Sequence, residues 1–286
     1  MSKADADIYC QRTGDSITGI VAAFCRRHRR KFVFSIASEV GCVISLPYYT
    51  ARHQRVSYRY GLRQANIVIA QTVTQQKLLH ENFGINSTVI PNCAPDYRRG
   101  EGGTDAVSSN REKRLLWIGS FQPIKQLELF LDIAEQLPDL QFDVVGNGNN
   151  ESEYVQRLRS RAKSIPNVHL HGAVPHAYVQ PFYRRTAALI CTSHAEGFPN
   201  IFLEAWCHGL PIVSTFDPDS VIADHGLGIV ARDVSGLVAG IRKIMDSPEQ
   251  RRIASKCARK YYLQNHTEEK VMERLESVVL EIVKSL

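Results

Sequence analysis

The stretch from Ala188 to Ser214, ALICTSHAEGFPNIFLEAWCHGLPIVS, holds the densest chemistry in the 286-residue sequence. An apolar run enters a polar loop, then Gly-Phe-Pro-Asn, a helical pattern, Gly-Leu-Pro and a second apolar run. A loop in that position lies at the carboxyl end of a parallel strand, where open α/β sheets bind ligands. A helix beginning near Asn200–Ile201 turns unpaired backbone N–H groups and its positive dipole end toward the crevice, which suits a phosphate or diphosphate. Gly197 permits close backbone approach, and Pro199 near the first turn gives up no needed donor. Glu196 and Glu204 bracket this end, eight positions apart. A carboxylate is repelled by a diphosphate, so each acid is better placed against neutral hydroxyls, accepting hydrogen bonds worth ~1.5–3 kcal/mol each. Sugar hydroxyls fit that role. The residues alone leave a second reading open, in which both acids serve only the helix dipole.

Such a site needs strands and helices that alternate, and the sequence supplies them. Short strands are expected at 7–10, 31–36, 67–70 and 88–90, with helices over 17–28, 56–63 and 73–83. After residue 113 strands are expected at 115–118, 142–145, 168–170, 188–190 and 211–214, with helices over 127–137, 151–163, 179–184 and 201–208. This alternation reads as α/β with parallel sheets. Residues 268–286 place Val271, Leu275, Val278, Val279, Ile282 and Leu286 on one face of an amphipathic closing helix. Residues 98–113, RRGEGGTDAVSSNREK, form the one convincing linker. The expected domains are therefore 1–97, a linker at 98–113, a second domain at 111–265 and a closing helix at 266–286.

Composition excludes several classes. With 44% apolar and 22% charged residues, the chain is globular rather than disordered, collagenous or a coiled coil. No apolar run approaches the ~18 residues that span a bilayer. The polar opening MSKADADIYCQR argues against export, and seven cysteines without a CxxC pair argue for reduced thiols in the cytoplasm. Residues 1–100 hold 14 Lys/Arg against 6 Asp/Glu, whereas the remainder holds 21 against 23, so the net charge of +6 comes from the first third. The run Arg26-Arg27-His28-Arg29-Arg30-Lys31 fits a solvated helix end, an anionic membrane surface or nucleic acid. No recognition module accompanies the third, so nucleic acid is not expected as a partner.

The Glu-x7-Glu spacing within HAEGFPNIFLEAWCHGLPIVS resembles the donor-site signature of retaining glycosyltransferases of family 4, which have the GT-B fold. Leu115–Ser120 with Lys125 looks like that family's strand–loop–lysine element, and Val144–Gly148 followed by VHLHGAV looks like its nucleotide-base region. The resemblance is specific at 188–214 and weakens toward the N-terminus. It implies two Rossmann-like domains, the first incomplete, and transfer of a hexose from a nucleoside diphosphate sugar to a hydroxyl acceptor on a glycan or lipid-linked glycan, as in cell-surface polysaccharide or glycolipid synthesis. Lys125 is then expected on the diphosphate, Glu204 on the ribose hydroxyls and Glu196 on the transferred sugar. The backbone at Gly197, Phe198, Pro199, Asn200 and Ile201 is expected to hold the sugar and distal phosphate. Gly119 and Ser120 would line the phosphates, and Gly172 to Val174 would flank the base. The resemblance calls for no metal and no other cofactor.

Two residues depart from the family pattern. Ser120 stands where relatives usually carry Arg, and Ala37 stands where many carry a His facing the acceptor. The family's usual glycine-rich βα opening is not present before DIYCQR, so the resemblance also implies a shortened gene and an unpaired sheet edge. A second reading follows, a non-catalytic remnant that binds nucleotide sugar or a partner. Asp5-Ala6-Asp7 and Asp217-Pro218-Asp219 spell an Asp-x-Asp metal motif but are expected in turns, and Gly146-x-Gly148 lacks the third glycine of a dinucleotide fingerprint. The basic first part suits an anionic membrane, with the protein peripheral on its inner face.

Overall fold

A computed structural model describes residues 1, 3–47, 49–99 and 113–283. Most of the expected linker lies outside the described residues. The chain divides into two compact units, Met1–Asn92 with Glu269–Leu286, and Cys93–Glu268.

The first unit contains β1 (Ile8–Arg12), α1 (Thr18–Arg27), β2 (Lys31–Ser35), α2 (Arg52–Gln64), β3 (Ile67–Ala70), α3 (Val73–Phe83) and β4 (Thr88–Val89). Its four strands pair in chain order, all parallel. Phe32, Phe34, Tyr58 and Leu62 are fully buried between sheet and helices. Thr72 caps α3 by accepting the Gln75 N–H, and Gly84 closes it in the left-handed conformation at φ 66°. The basic run behaves as a helix end: α1 finishes at Arg27, and Arg30 turns back to ion-pair with Asp5 and Asp7, each at 2.6 Å. Both carboxylates of that Asp-x-Asp are thereby engaged by an arginine.

The second unit follows with β5 (Arg114–Ile118), α4 (Leu127–Gln136), β6 (Gln141–Val145), α5 (Glu153–Ser164), β7 (Val168–Gly172), α6 (Gln180–Arg185), β8 (Ala188–Cys191), α7 (Asn200–Cys207), β9 (Ile212–Ser214), α8 (Val221–Asp224), β10 (Gly228–Val230), α9 (Val234–Asp246) and α10 (Pro248–Asn265). The strand order is β10-β9-β8-β5-β6-β7, all parallel. Two apolar clusters fill the two faces of this sheet, one under α4, α5 and α9, the other under α7 and α10. α11 (Glu268–Val283) closes the described chain. Among the described residues, no helix is long and apolar enough to cross a membrane.

The division after Asn92, rather than at residue 97, has a physical cause. Tyr262 donates to the Ala94 carbonyl at 2.8 Å, and Arg259 grips both oxygens of Asp96 at 2.9 Å, fastening 93–97 to α10. Three elements of 228–265, namely β10, α9 and α10, are additions to the sequence-based outline. The pattern of α9 was legible, since Leu237, Gly240, Ile241, Ile244 and Met245 share its buried face.

Candidate functional site

In the six-stranded sheet, β5 is followed by β6 on one side, while β8 lies on its other side. The chain order thus reverses at β5, and the crevice beyond the carboxyl ends of β5 and β8 is the topological switch point where such sheets bind ligands. The loops after these strands contain Gly119, Ser120, Lys125, Glu196 and Gly197, so residues some seventy positions apart meet there.

Two hydrogen bonds lock the loops together. Thr192 donates to the Lys125 carbonyl at 2.8 Å, and the His194 N–H donates to the Ile124 carbonyl at 2.8 Å. Thr192 is itself held by the Trp117 indole N–H at 3.1 Å, on the strand that precedes the Lys125 loop. A short 3-10 turn at Pro123–Lys125 and a left-handed Gln126 (φ 47°) then aim the lysine. Its Nζ ion-pairs with Glu196 Oε1, which also accepts from the Ser193 hydroxyl at 2.7 Å. Thr192 and Ser193 were not singled out from the sequence, because a hydroxyl in a loop has no periodic signature and only strand adjacency shows what it touches.

Glu196 leads into α7, whose N-cap is Pro199. The Phe202 N–H already donates to the Pro199 carbonyl at 3.0 Å. Pro199 has no N–H, so within 197–201 it can offer a ligand no backbone donor. The Phe198 side chain points into the core, its ring 6.0 Å from Trp206 and 5.1 Å from His266. Any part Phe198 takes in binding is therefore confined to its backbone. Glu204, one turn into α7, is 8% exposed, and its Oε1 meets His176 Nε2 at 3.0 Å. His176 follows the Gly172–Val174 loop directly, so this contact ties the expected base region to the expected ribose acid. Tyr97 and Tyr183 stack on His208 with interplanar angles of 6°. Burial first, and then the Glu204 carboxylate, push the Tyr97 phenol up to about 12 and the Tyr183 phenol well above its usual value.

Glycines shape the floor. Gly146, at φ 148°, lies so close to the β5 loop that a Cβ would come within 1.8 Å of the Gly119 carbonyl oxygen. Its N–H donates to the Gly172 carbonyl at 2.8 Å. The carboxyl ends of β5, β6 and β7 are thus knit together at Gly119, Gly146 and Gly172. Beneath them the fully buried Asp143 binds Arg114 in a fork at 2.8 and 2.9 Å, Arg185 at 3.2 Å and His171 Nε2 at 2.6 Å. Burial would raise this carboxyl, but the Arg114 and His171 hydrogen bonds and the two guanidinium charges outweigh it and hold it at about 2. His171 therefore has a carboxylate neighbour that the sequence did not reveal, one already committed to two arginines. Asp217, of the second Asp-x-Asp, accepts the Ile222 and Ala223 N–H groups and so ties down the start of α8.

The architecture is a GT-B-like α/β fold with parallel sheets of four and six strands. Residues 112–247 match the profile of the family described as Glycosyl transferases group 1, which supports membership of that family. The amylovoran biosynthesis glycosyltransferase AmsD of Erwinia amylovora is 22% identical over 235 residues, covering 77% of this chain, and the chain spans 64% of AmsD. Anabaena HepE in complex with UDP superposes with a TM-score of 0.79 at 17% identity, covering 100% of this chain and 80% of HepE. A sucrose-phosphate synthase from Thermosynechococcus elongatus superposes at 0.80 with 16% identity, covering 100% and 76% of the two chains.

Proposed function

We propose that this chain transfers a hexose from a nucleoside diphosphate sugar to a hydroxyl of a glycan or lipid-linked acceptor, with retention of the anomeric configuration. The observation that carries the reading is the meeting of Lys125 and Glu196 beside the amino end of α7. One cation and a set of helix-end amides suit a diphosphate, and the flanking acids suit hydroxyls. The name of AmsD favours polysaccharide synthesis, and the UDP bound to HepE makes uridine nucleotides the first donors to test.

In the reaction the bond from the sugar C1 to the diphosphate oxygen breaks, and the acceptor oxygen bonds to C1 on the same face. The acceptor proton passes to a phosphate oxygen of the leaving nucleotide, so the products are the glycoside and a nucleoside diphosphate. Lys125 and the α7 amides stabilise the negative charge that grows on the leaving group, the largest usual catalytic contribution. Glu196 orients the sugar through its hydroxyls, and Glu204 holds the ribose. No step requires a metal.

Ser120 favours a second reading, binding without turnover. An arginine at that position would add charge-assisted hydrogen bonds of ~1.5–3 kcal/mol each, whereas a hydroxyl offers one neutral bond. Calorimetric titration of a panel of nucleoside diphosphate sugars, followed by a donor-hydrolysis assay, separates the two. Turnover with formation of an α-linked product from an α-linked donor, read by the anomeric proton coupling, supports the enzyme. Tight binding with no hydrolysis or transfer supports the remnant. Undiminished donor affinity in Glu204→Ala would refute the ribose role.

A further inference from the structure

We infer that the groove between α1 and α2 docks on an anionic membrane surface, inserting its aliphatic rim while an arginine stripe contacts the lipid headgroups. The groove has a volume of about 880 Å³ and is lined by Ile20 and Ala23 of α1 and by Arg52, His53, Val56 and Tyr60 of α2. Three aliphatic side chains more than half exposed are grouped at these two helices: Ile17, Ile20 and Val56 are 51%, 58% and 58% exposed. Gly19 and Gly61 create the surface by letting the helices touch, since a Cβ on Gly61 would come within 2.7 Å of Thr18.

Beside this apolar strip, Arg52, Arg55, Arg59 and Arg63 recur every three or four residues along α2 and so share one side of it. Like charges at that spacing weaken a helix, yet neither α1 nor α2 contains an Asp or Glu. Arg55 and Arg59 reach the Tyr49 and Ile44 carbonyls at 2.8 and 2.9 Å, while Arg52 and Arg63 are exposed. Arg59 thereby steadies Ile44, itself 56% exposed. On α1, Arg27 lies one turn beyond Ala23. Asp15, three residues before α1, accepts the Ile17 N–H at 2.7 Å.

A single face that joins exposed aliphatics to unopposed arginines matches the boundary between acyl chains and anionic headgroups. A second copy of the chain fits poorly, because a two-fold contact would bring together two patches of the same positive sign, with no acid on either helix to offset them. Nucleic acid would account for the arginines but not for the isoleucines and the valine. The inference does not depend on the transfer reaction, since the groove lies wholly in the first unit.

The test is co-sedimentation of the whole chain with vesicles of phosphatidylcholine alone or of equal parts phosphatidylcholine and phosphatidylglycerol. Binding is expected only to the anionic vesicles, weakening with salt. Arg52→Ser with Arg63→Ser should reduce partitioning about twenty-five-fold, from about fivefold per cation. Ile20→Ser with Val56→Ser should reduce it about tenfold through lost aliphatic insertion. Both variants should keep the wild-type thermal unfolding midpoint and UDP affinity, which separates this result from any failure at the nucleotide site. The inference is overturned by equal binding to neutral vesicles, by no binding, or by vesicle binding that ignores Ile20→Ser/Val56→Ser. It is equally overturned if those serines abolish a concentration-dependent dimer, or if a duplex oligonucleotide competes fully for the groove.

Discussion

Replacing Lys125 with Met tests the proposed donor site most directly. In the free protein the ammonium is already paired with Glu196, and the two side chains are 25% and 14% exposed. A diphosphate must therefore draw Lys125 at least partly from Glu196. A charge-assisted bond to phosphate contributes ~1.5–3 kcal/mol, and giving up a partly solvated ion pair costs about 1 kcal/mol. The net loss on removing Lys125 is then ~0.5–2 kcal/mol, or about two- to thirtyfold in UDP affinity. Glu196→Gln should act in the opposite sense on UDP, freeing the lysine and tightening binding by up to about fivefold. The same variant should weaken UDP-glucose relative to UDP, because the amide is a poorer acceptor for sugar hydroxyls. Calorimetry with UDP and UDP-glucose on wild type, both single variants and the double variant gives the coupling between the two side chains. If Lys125→Met binds UDP as tightly as wild type, or if Glu196→Gln lowers both affinities equally, the assigned roles are wrong.

Three further outcomes are expected. Asp143→Asn should destabilise the protein by ~3–5 kcal/mol in urea unfolding, since it leaves two arginines under the sheet without their carboxylate. Because the folded carboxyl sits at about 2, below its ordinary value, its stabilisation is complete above about pH 4 and fades as pH falls toward 2. The variant's stability should accordingly fall less steeply than wild type over that interval. Gly146→Ala should lower the unfolding midpoint and UDP affinity together, because its Cβ would overlap the Gly119 carbonyl from a backbone conformation that alanine resists. His176→Ala should weaken UDP binding less than Glu204→Ala does, and the double variant should resemble Glu204→Ala, as expected if His176 acts by orienting that acid.

Much of this architecture was legible along the chain. The alternation of β-rich runs and helical patterns predicted parallel sheets, and the element boundaries fall within a few residues of those expected for α1, α4, β6 and α7. Such features are local: side-chain period, capping and turn chemistry act over a few residues. The amphipathic segment beginning at Glu268 is helical for the same reason. Between Phe216 and Asn265 the outline was incomplete, since β10 has only three residues and α10 carries charges around much of its circumference.

The sequence by itself determined which residues could take part: a loop–helix junction at Glu196–Ile201, two acids eight positions apart, and a lysine after a glycine turn. Only tertiary structure decided what they touch. Lys125 meets Glu196 and Thr192 anchors the lysine loop because the sheet places β8 beside β5, and His176, from the loop after β7, reaches Glu204 only once the whole sheet has formed. Strand order is set by burying two apolar faces at once, a constraint on the whole domain that no local pattern encodes. The same holds for Asp143, an unremarkable acid in a β-rich run until three strands and a helix bring Arg114, His171 and Arg185 around it.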